Sequence, residues 1–216
     1  MEKTSDRPAP KWRKAVTSGL AGAAVGAAGM VGLTTLYERG AFGDIGPSGM
    51  MACVAGFVYV LIGVQVALGV ALPGLGRRFL NVEDAEELIE QRRMLGYAVA
   101  AMTAWGAALI VVALAGPGGI VVPPIALAAA LALVAACVGV TALMWRHMDE
   151  LMRDMSRQCG NLSFYLLLLV GGLWVMLAHL GYAAAPAPLD WLTMFTALTL
   201  LASFIAVGLR GMLMPR

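Results

Sequence analysis

Residues 94–145 read MLGYAVAAMTAWGAALIVVALAGPGGIVVPPIALAAALALVAACVGVTALMW, a run of 52 positions without a charged side chain. A membrane-spanning helix needs about 20 predominantly apolar residues, so the run is long enough for two such helices. Its middle holds the sequence GPGG at 116–119 and two prolines at 123–124, and these residue types interrupt helices. The stretch therefore predicts two membrane spans joined by a tight turn.

The composition of the whole chain agrees with a membrane protein. Hydrophobic residues make up 60% of the 216 residues, charged residues only 13%, and the mean hydropathy is +0.81. A soluble domain carries about 25% charged residues, so soluble enzymes, nucleic-acid binders and disordered chains are excluded. The 15 basic and 13 acidic residues nearly balance, which gives no indication of a nucleic-acid partner.

Charge-free intervals elsewhere in the chain mark further spans, because a charged side chain at the bilayer centre costs several kcal/mol. The six spans predicted in this way are 15–37, 50–72, 95–115, 122–145, 160–181 and 190–209. The predicted fold is therefore all-α, a polytopic membrane protein whose six transmembrane helices form three hairpins. They make one domain at 15–210, between a basic N-terminus at 1–14 and a short tail at 211–216.

Aromatic residues support these boundaries, since Trp and Tyr anchor helix ends at the membrane interface. The Trp and Tyr residues that mostly fall near predicted helix ends are Tyr37, Trp105, Trp145, Trp174, Tyr182 and Trp191.

The distribution of Lys and Arg predicts the orientation, because cytoplasmic segments retain these residues. Of the 15 basic residues, only Arg39 falls outside the N-terminus, the C-terminus and the two segments that follow the second and fourth spans. Both termini are therefore expected in the cytoplasm. The Ala- and Gly-rich composition and short loops are typical of a bacterial inner (plasma) membrane protein. A secretory signal is the other interpretation of the first span, but its apolar run is longer than the 7–15 residues of a signal core.

Residues 82–93 and 147–158 predict two short amphipathic helices on the cytoplasmic side. Acidic residues recur there at four-residue steps, which place them on one helix face. The residues concerned are Glu86, Glu90, Glu150 and Asp154. His147 adds an imidazole to the second segment, so His147, Glu150 and Asp154 form a weak candidate for a divalent metal site. The simpler interpretation is a solvated helix face with local ion pairs, and both faces are also candidate contacts for a protein partner.

The first span is rich in small residues that permit close helix packing. Gly22, Gly26 and Gly29 follow one another at steps of four and three residues and lie mostly on one face. In lipid, helices associate by van der Waals contact, which small residues allow. This face predicts either packing inside the bundle, with Gly56 and Gly63 of the second span opposite it, or self-association or contact with a protein partner.

Polar groups inside the spans are few, and no Asp, Glu, Lys or Arg is among them, which argues against an ion-coupled carrier. Gln65 lies midway along the second span, and four hydroxyls on the sixth span fall within an arc of about 120°. The four residues are Thr193, Thr196, Thr199 and Ser203. They predict either hydrogen bonds within and between helices or, together with Gln65, the polar lining of a path for an uncharged solute.

The sequence holds no phosphate-binding loop, nucleophile elbow or catalytic triad spacing, so no catalytic residues are assigned. His147 and His179 are predicted on opposite faces of the membrane and do not make a haem site. No cofactor is therefore expected. The leading hypothesis is a non-enzymatic accessory, scaffold or regulatory membrane subunit, surrounded by membrane lipids. The alternatives are a facilitator or channel for a small neutral or weakly polar solute and, third, a membrane enzyme acting at lipid head groups.

Overall fold

The computed structural model describes residues 11–72, 91–116 and 118–211, and these residues form six α-helices joined by short loops. The helices are α1 (Lys11–Glu38), α2 (Gly46–Ala71), α3 (Arg92–Ala113), α4 (Pro123–His147), α5 (Glu150–His179) and α6 (Pro188–Leu209). Five of them, α2 to α6, are long and apolar enough to cross a membrane. The all-helical, polytopic membrane character predicted from the sequence is confirmed.

Proline and glycine set several helix ends. Prolines occupy the first turns of α2, α4 and α6. The backbone N–H groups of a first turn have no acceptor within the helix, so a residue that lacks this N–H costs no hydrogen bond there. At the end of α5, Gly181 adopts a φ of 79°, which residues with a side chain rarely tolerate. The amides of Gly181 and Tyr182 then donate to the carbonyls of Ala178 and Leu177, at 3.1 and 2.9 Å, and complete a Schellman cap.

Helix α5 combines the short amphipathic helix predicted at 147–158, from Glu150 onward, with the span predicted at 160–181, and His147 instead ends α4. Helix α5 is one continuous helix of 30 residues, and only Met148 and Asp149 separate it from α4. The Asp149 carboxylate accepts a hydrogen bond from the amide of Met152 at 2.7 Å and caps the helix, and no proline interrupts the turns that follow. The other predicted amphipathic helix, at 82–93, falls mostly on residues 73–90, which lie outside the described residues.

Glycines bring α2 and α3 close together, and this pair has the most extensive helix contact among the described residues. A Cβ placed on Gly56 would lie 2.6 Å from the carbonyl oxygen of Gly106, and a Cβ on Gly63 would lie 2.6 Å from Oγ1 of Thr103. The expectation that Gly56 and Gly63 face α1 is therefore wrong, because α3 occupies that face. Helix α4 packs on α3, α5 packs on α6, and α6 packs on α2.

The loops at one end of the bundle are joined by backbone hydrogen bonding. Gly43, in the α1–α2 loop, forms an isolated antiparallel bridge with Gly119 of the α3–α4 loop, and the amide of Asp44 donates to the carbonyl of Gly118 at 2.8 Å. The main apolar cluster lies beneath this junction. It comprises Leu33, Ile45, Ala52, Cys53, Leu109 and Ala113.

Candidate functional site

Thr196 lies where α2, α3 and α6 meet and is only 1% exposed. The indole Nε1 of Trp105 donates a hydrogen bond to Oγ1 of Thr196 at 3.1 Å, and the hydroxyl of Tyr59 donates to the backbone carbonyl of Thr196 at 3.0 Å. The Thr196 hydroxyl in turn donates to the carbonyl of Leu192 at 2.7 Å. One residue of α6 therefore accepts hydrogen bonds from two other helices.

A cleft of about 410 Å³ opens beside this junction. Pockets that hold small molecules commonly enclose about 300–1,000 Å³, so its size is sufficient for a ligand. Four helices, α2, α3, α4 and α6, form its walls. The lining residues are Tyr59, Ala101, Met102, Trp105, Cys137, Thr141, Phe195, Thr196 and Thr199.

Thr199 differs from the other hydroxyl residues of α6. Its Oγ1 is buried and has no hydrogen-bond partner within the part of the chain that the structure describes. In contrast, Thr193 donates to the carbonyl of Leu189 at 3.0 Å, and Ser203 donates to the carbonyl of Thr199 at 2.9 Å. Thr199 is therefore the member of this stripe whose buried hydroxyl has no partner among the described residues.

The five residues proposed as a polar lining are placed differently. Thr196 and Thr199 line the cleft, whereas Thr193 and Ser203 are not among its lining residues. Gln65 is exposed and also lies outside the cleft. It follows Gly56 by nine residues, which is two and a half turns of helix, so it lies on the side of α2 opposite the contact with α3.

Sequence reasoning missed most of the cleft. Trp105, which was grouped with aromatic residues that mostly fall near helix ends, lies near the middle of α3, and Tyr59 lies near the middle of α2. A Tyr or Trp in the middle of a membrane span has a polar atom that needs a partner, and this signal was present in the sequence. The partner itself was not visible, because Thr196 lies 91 residues after Trp105.

The proposed metal ligands have separate surroundings. The ring of His147 has Nδ1 at 2.9 Å from the carbonyl of Leu143 and packs against Tyr97, with ring centroids 5.8 Å apart. Asp154 forms an ion pair with Arg210, which also donates to Gln158. Glu150 is exposed at the start of α5. Among residues 11–72, 91–116 and 118–211, no group of three His, Cys, Asp or Glu side chains is arranged to hold a metal ion.

The glycine face of α1 is mostly open. A Cβ on Gly29 would lie 2.6 Å from Cε1 of Phe57, so this glycine packs on α2, but a Cβ on Gly22, Gly26 or Gly32 would have no neighbour within 4 Å. In the described part of the chain, α2 is the helix against which α1 packs, and that contact is small. The acidic candidates Glu86 and Glu90 lie outside the described residues.

The walls of the cleft are mostly apolar. They carry three aromatic side chains and three threonines, and none of the lining residues in the described part of the chain is Asp, Glu, Lys, Arg or His. Comparison with protein families, with curated proteins and with solved structures finds no match for the chain.

Proposed function

We propose that this chain is a non-enzymatic accessory, scaffold or regulatory subunit of a larger membrane assembly. In this proposal all six helices cross a bacterial inner membrane as three hairpins, with both termini in the cytoplasm. The orientation is supported by the basic residues, of which only Arg39 falls on the opposite side. The accessory role is supported by α1, a helix of 28 residues that packs little on the other described residues of the chain.

The open glycines carry the proposal. Gly22, Gly26 and Gly32 leave a shallow surface on α1, where an added Cβ would meet no atom of the described residues within 4 Å. Because lipid tails are as apolar as the helix, close van der Waals packing is a main source of helix association, and glycines allow the backbones to approach. A transmembrane helix of another polypeptide fits this surface.

The experiment is native mass spectrometry of the protein extracted in its own lipid, comparing wild type with Gly22→Leu and Gly26→Leu. These side chains enter open space, so folding is retained while the shallow surface is filled. Gly172→Leu is the matched control, because Gly172 on α5 is also open within 4 Å. We expect a stoichiometric second polypeptide that is lost in the α1 variants and kept in the control. A monomer, a homo-oligomer or a partner that survives both α1 variants would overturn the proposal.

The facilitator hypothesis receives less support. Thr193 and Ser203 donate to carbonyls of their own helix, and Gln65 lies on the far side of α2. Of the five residues proposed as a polar lining, Thr196 and Thr199 line the cleft and the other three do not, so these five residues do not form a continuous polar path.

A further inference from the structure

Gln65 carries a carboxamide on a part of α2 that faces away from the bundle. Its side chain is exposed, and it makes no hydrogen bond within the part of the chain that the structure describes. When the middle of α2 lies at the centre of a bilayer, Gln65 lies about 9 Å from that centre, and the hydrocarbon layer extends about 15 Å to either side. Exposure to lipid removes a polar group from water as burial in protein does. The amide of Gln65 therefore needs a hydrogen-bond partner that the described residues do not supply.

The side chain of Gln65 is poorly placed to reach water by itself. The nearer end of α2 is its C-terminal end, at Ala71. The Cα–Cβ bond of a helical residue tilts toward the N-terminus of the helix, so the side chain of Gln65 starts toward the centre of the layer and away from that end. An amide without hydrogen bonds is strongly unfavourable in hydrocarbon. A polar group that is itself embedded in the membrane is therefore the natural partner.

Helices α1 and α2 separate from each other near Gln65. At Gly29 they touch, since a Cβ there would lie 2.6 Å from Cε1 of Phe57. Gly22 lies two turns earlier on the same face of α1, and a Cβ there would meet nothing within 4 Å. On α2, two and three turns beyond Phe57, Val64 and Leu68 are 45% and 56% exposed. The two helices thus leave a wedge, bounded by Gly22 on α1 and by Val64 and Leu68 on α2.

Gln65 lies at the edge of this wedge. The two helices are joined by the short loop at 39–45 and run in opposite directions. Along the helix axes, Gly22 lies about 10 Å and Gln65 about 12 Å from the contact between Gly29 and Phe57, so the two residues are at nearly the same level. Around the axis of α2, Gln65 is about 80° from Phe57, on the side away from α3. A helix that fills the wedge therefore passes within reach of the amide.

We propose that the partner polypeptide places one transmembrane helix in this wedge, and that this helix carries an Asn or Gln whose side chain pairs with Gln65. A carboxamide has both donors and an acceptor, so a second carboxamide satisfies the oxygen and the nitrogen of Gln65 together. Gly22, Val64 and Leu68 supply the surface for van der Waals packing. An acyl chain in the wedge would leave the amide unpaired, which favours a helix over lipid. This inference rests on the proposed accessory role and adds to it the place and the chemistry of the contact.

The first measurement is photo-cross-linking in native membranes. The photoreactive amino acid p-benzoylphenylalanine replaces either Leu68, in the wedge, or Leu131 on α4, which is 61% exposed and lies away from it. We expect position 68, and not position 131, to cross-link to an apolar segment of about 20 residues that contains Asn or Gln, as mass spectrometry of the cross-linked peptide will show. A cross-link from position 68 to lipid alone, to a second copy of this chain or to a segment without Asn or Gln would overturn the proposal.

The second measurement tests the amide itself. Gln65→Met keeps the length of the side chain and removes its hydrogen bonds, whereas Leu68→Met, the matched control, changes a side chain of the wedge that has no polar atom. Native mass spectrometry follows the fraction of chain that keeps its partner as extracted membranes are diluted with lipid. Gln65→Met should lose half of its partner at about fivefold lower dilution than wild type, as the loss of one hydrogen bond between membrane helices predicts. Gln65→Asn should recover part of this loss, and Leu68→Met should behave like wild type.

The outcomes separate this inference from the accessory role. A partner that is lost in Gly22→Leu but held as firmly by Gln65→Met as by wild type would overturn the pairing and leave the accessory role standing. A wild-type protein without a second polypeptide would overturn both. Because Gln65 is exposed and makes no hydrogen bond with the described residues, we expect Gln65→Met to fold, and an unchanged melting temperature checks this.

Discussion

The indole of Trp105 donates its hydrogen bond to the side chain of Thr196, while the hydroxyl of Thr196 donates to the carbonyl of Leu192. Thr196 thus joins α3 to α6 as an acceptor, while its own hydroxyl donor is hydrogen-bonded within α6. Because water does not compete at this depth, such a bond contributes to the association of membrane helices that lack a hydrophobic driving force. The α5–α6 pair is held to the rest of the bundle largely by α2 and this junction.

Thr196→Val should destabilise the protein by about 1–2 kcal/mol, because the Trp105 N–H loses its acceptor while the volume is nearly unchanged. Thermal unfolding in detergent measures the effect. Thr193→Val removes only a bond within α6 and should cost clearly less. In a Trp105→Phe background the cost of Thr196→Val should shrink. A cost that stays the same in that background would contradict the proposed coupling between the two residues.

Thr199→Val should act in the opposite direction on stability. The substitution removes a buried hydroxyl that has no partner in the described residues, and an unsatisfied buried polar group costs about 1–3 kcal/mol. We expect the melting temperature of the valine variant to equal or exceed that of wild type. A clear loss of stability would show that the Thr199 hydroxyl already has a partner.

Gly56→Ala should disrupt the contact between α2 and α3. The new Cβ would lie 2.6 Å from the carbonyl oxygen of Gly106 and 2.7 Å from Cγ1 of Ile110, so the helices must separate. Overpacking of this kind costs about 1–3 kcal/mol. Gly139→Ala on α4 is the control, because its Cβ meets nothing within 4 Å. The yield of monodisperse protein and its melting temperature should fall only for the Gly56 variant.

The proposed orientation is tested by labelling single cysteines with a membrane-impermeant maleimide. In a background without Cys53, Cys137 and Cys159, a Ser5→Cys variant should react only after the membrane is permeabilised. An Ala184→Cys variant, in the exposed α5–α6 loop, should react in intact cells. Labelling of Ser5→Cys in intact cells would place the N-terminus outside and contradict the assignment based on basic residues.

The helices of this protein could be predicted from the sequence because the lipid hydrocarbon layer excludes charged side chains. The absence of charge located the span at 122–145, and the proline pair located its start, which the structure places at Pro123. The face of a helix was likewise visible in the spacing of Gly56 and Gly63. The sequence did not show which helix packs against that face, because small residues permit close approach to any neighbour.

The cleft could not be predicted from the sequence, for a related reason. The stripe on α6 showed four similar hydroxyls, and nothing local distinguishes Thr199 from Thr193. Whether each hydroxyl bonds to its own helix depends on how α6 is rotated against α2 and α3, which is decided by packing over the whole bundle. The continuity of α5 was more predictable, since neither proline nor a glycine pair separates the charged turns at 150–158 from the apolar turns that follow.

Thr196 follows Tyr59 by 137 residues and Trp105 by 91 residues, and this order has a consequence for biosynthesis. Tyr59 and Trp105 leave the ribosome long before residue 196, so their hydrogen-bond donors enter the membrane while their acceptors are still untranslated. During this interval the partly inserted chain carries two polar groups in hydrocarbon whose acceptors, among the described residues, lie on α6. Helix α6, which is synthesised after α1 to α5, therefore completes both the polar bonding of the earlier helices and the wall of the cleft.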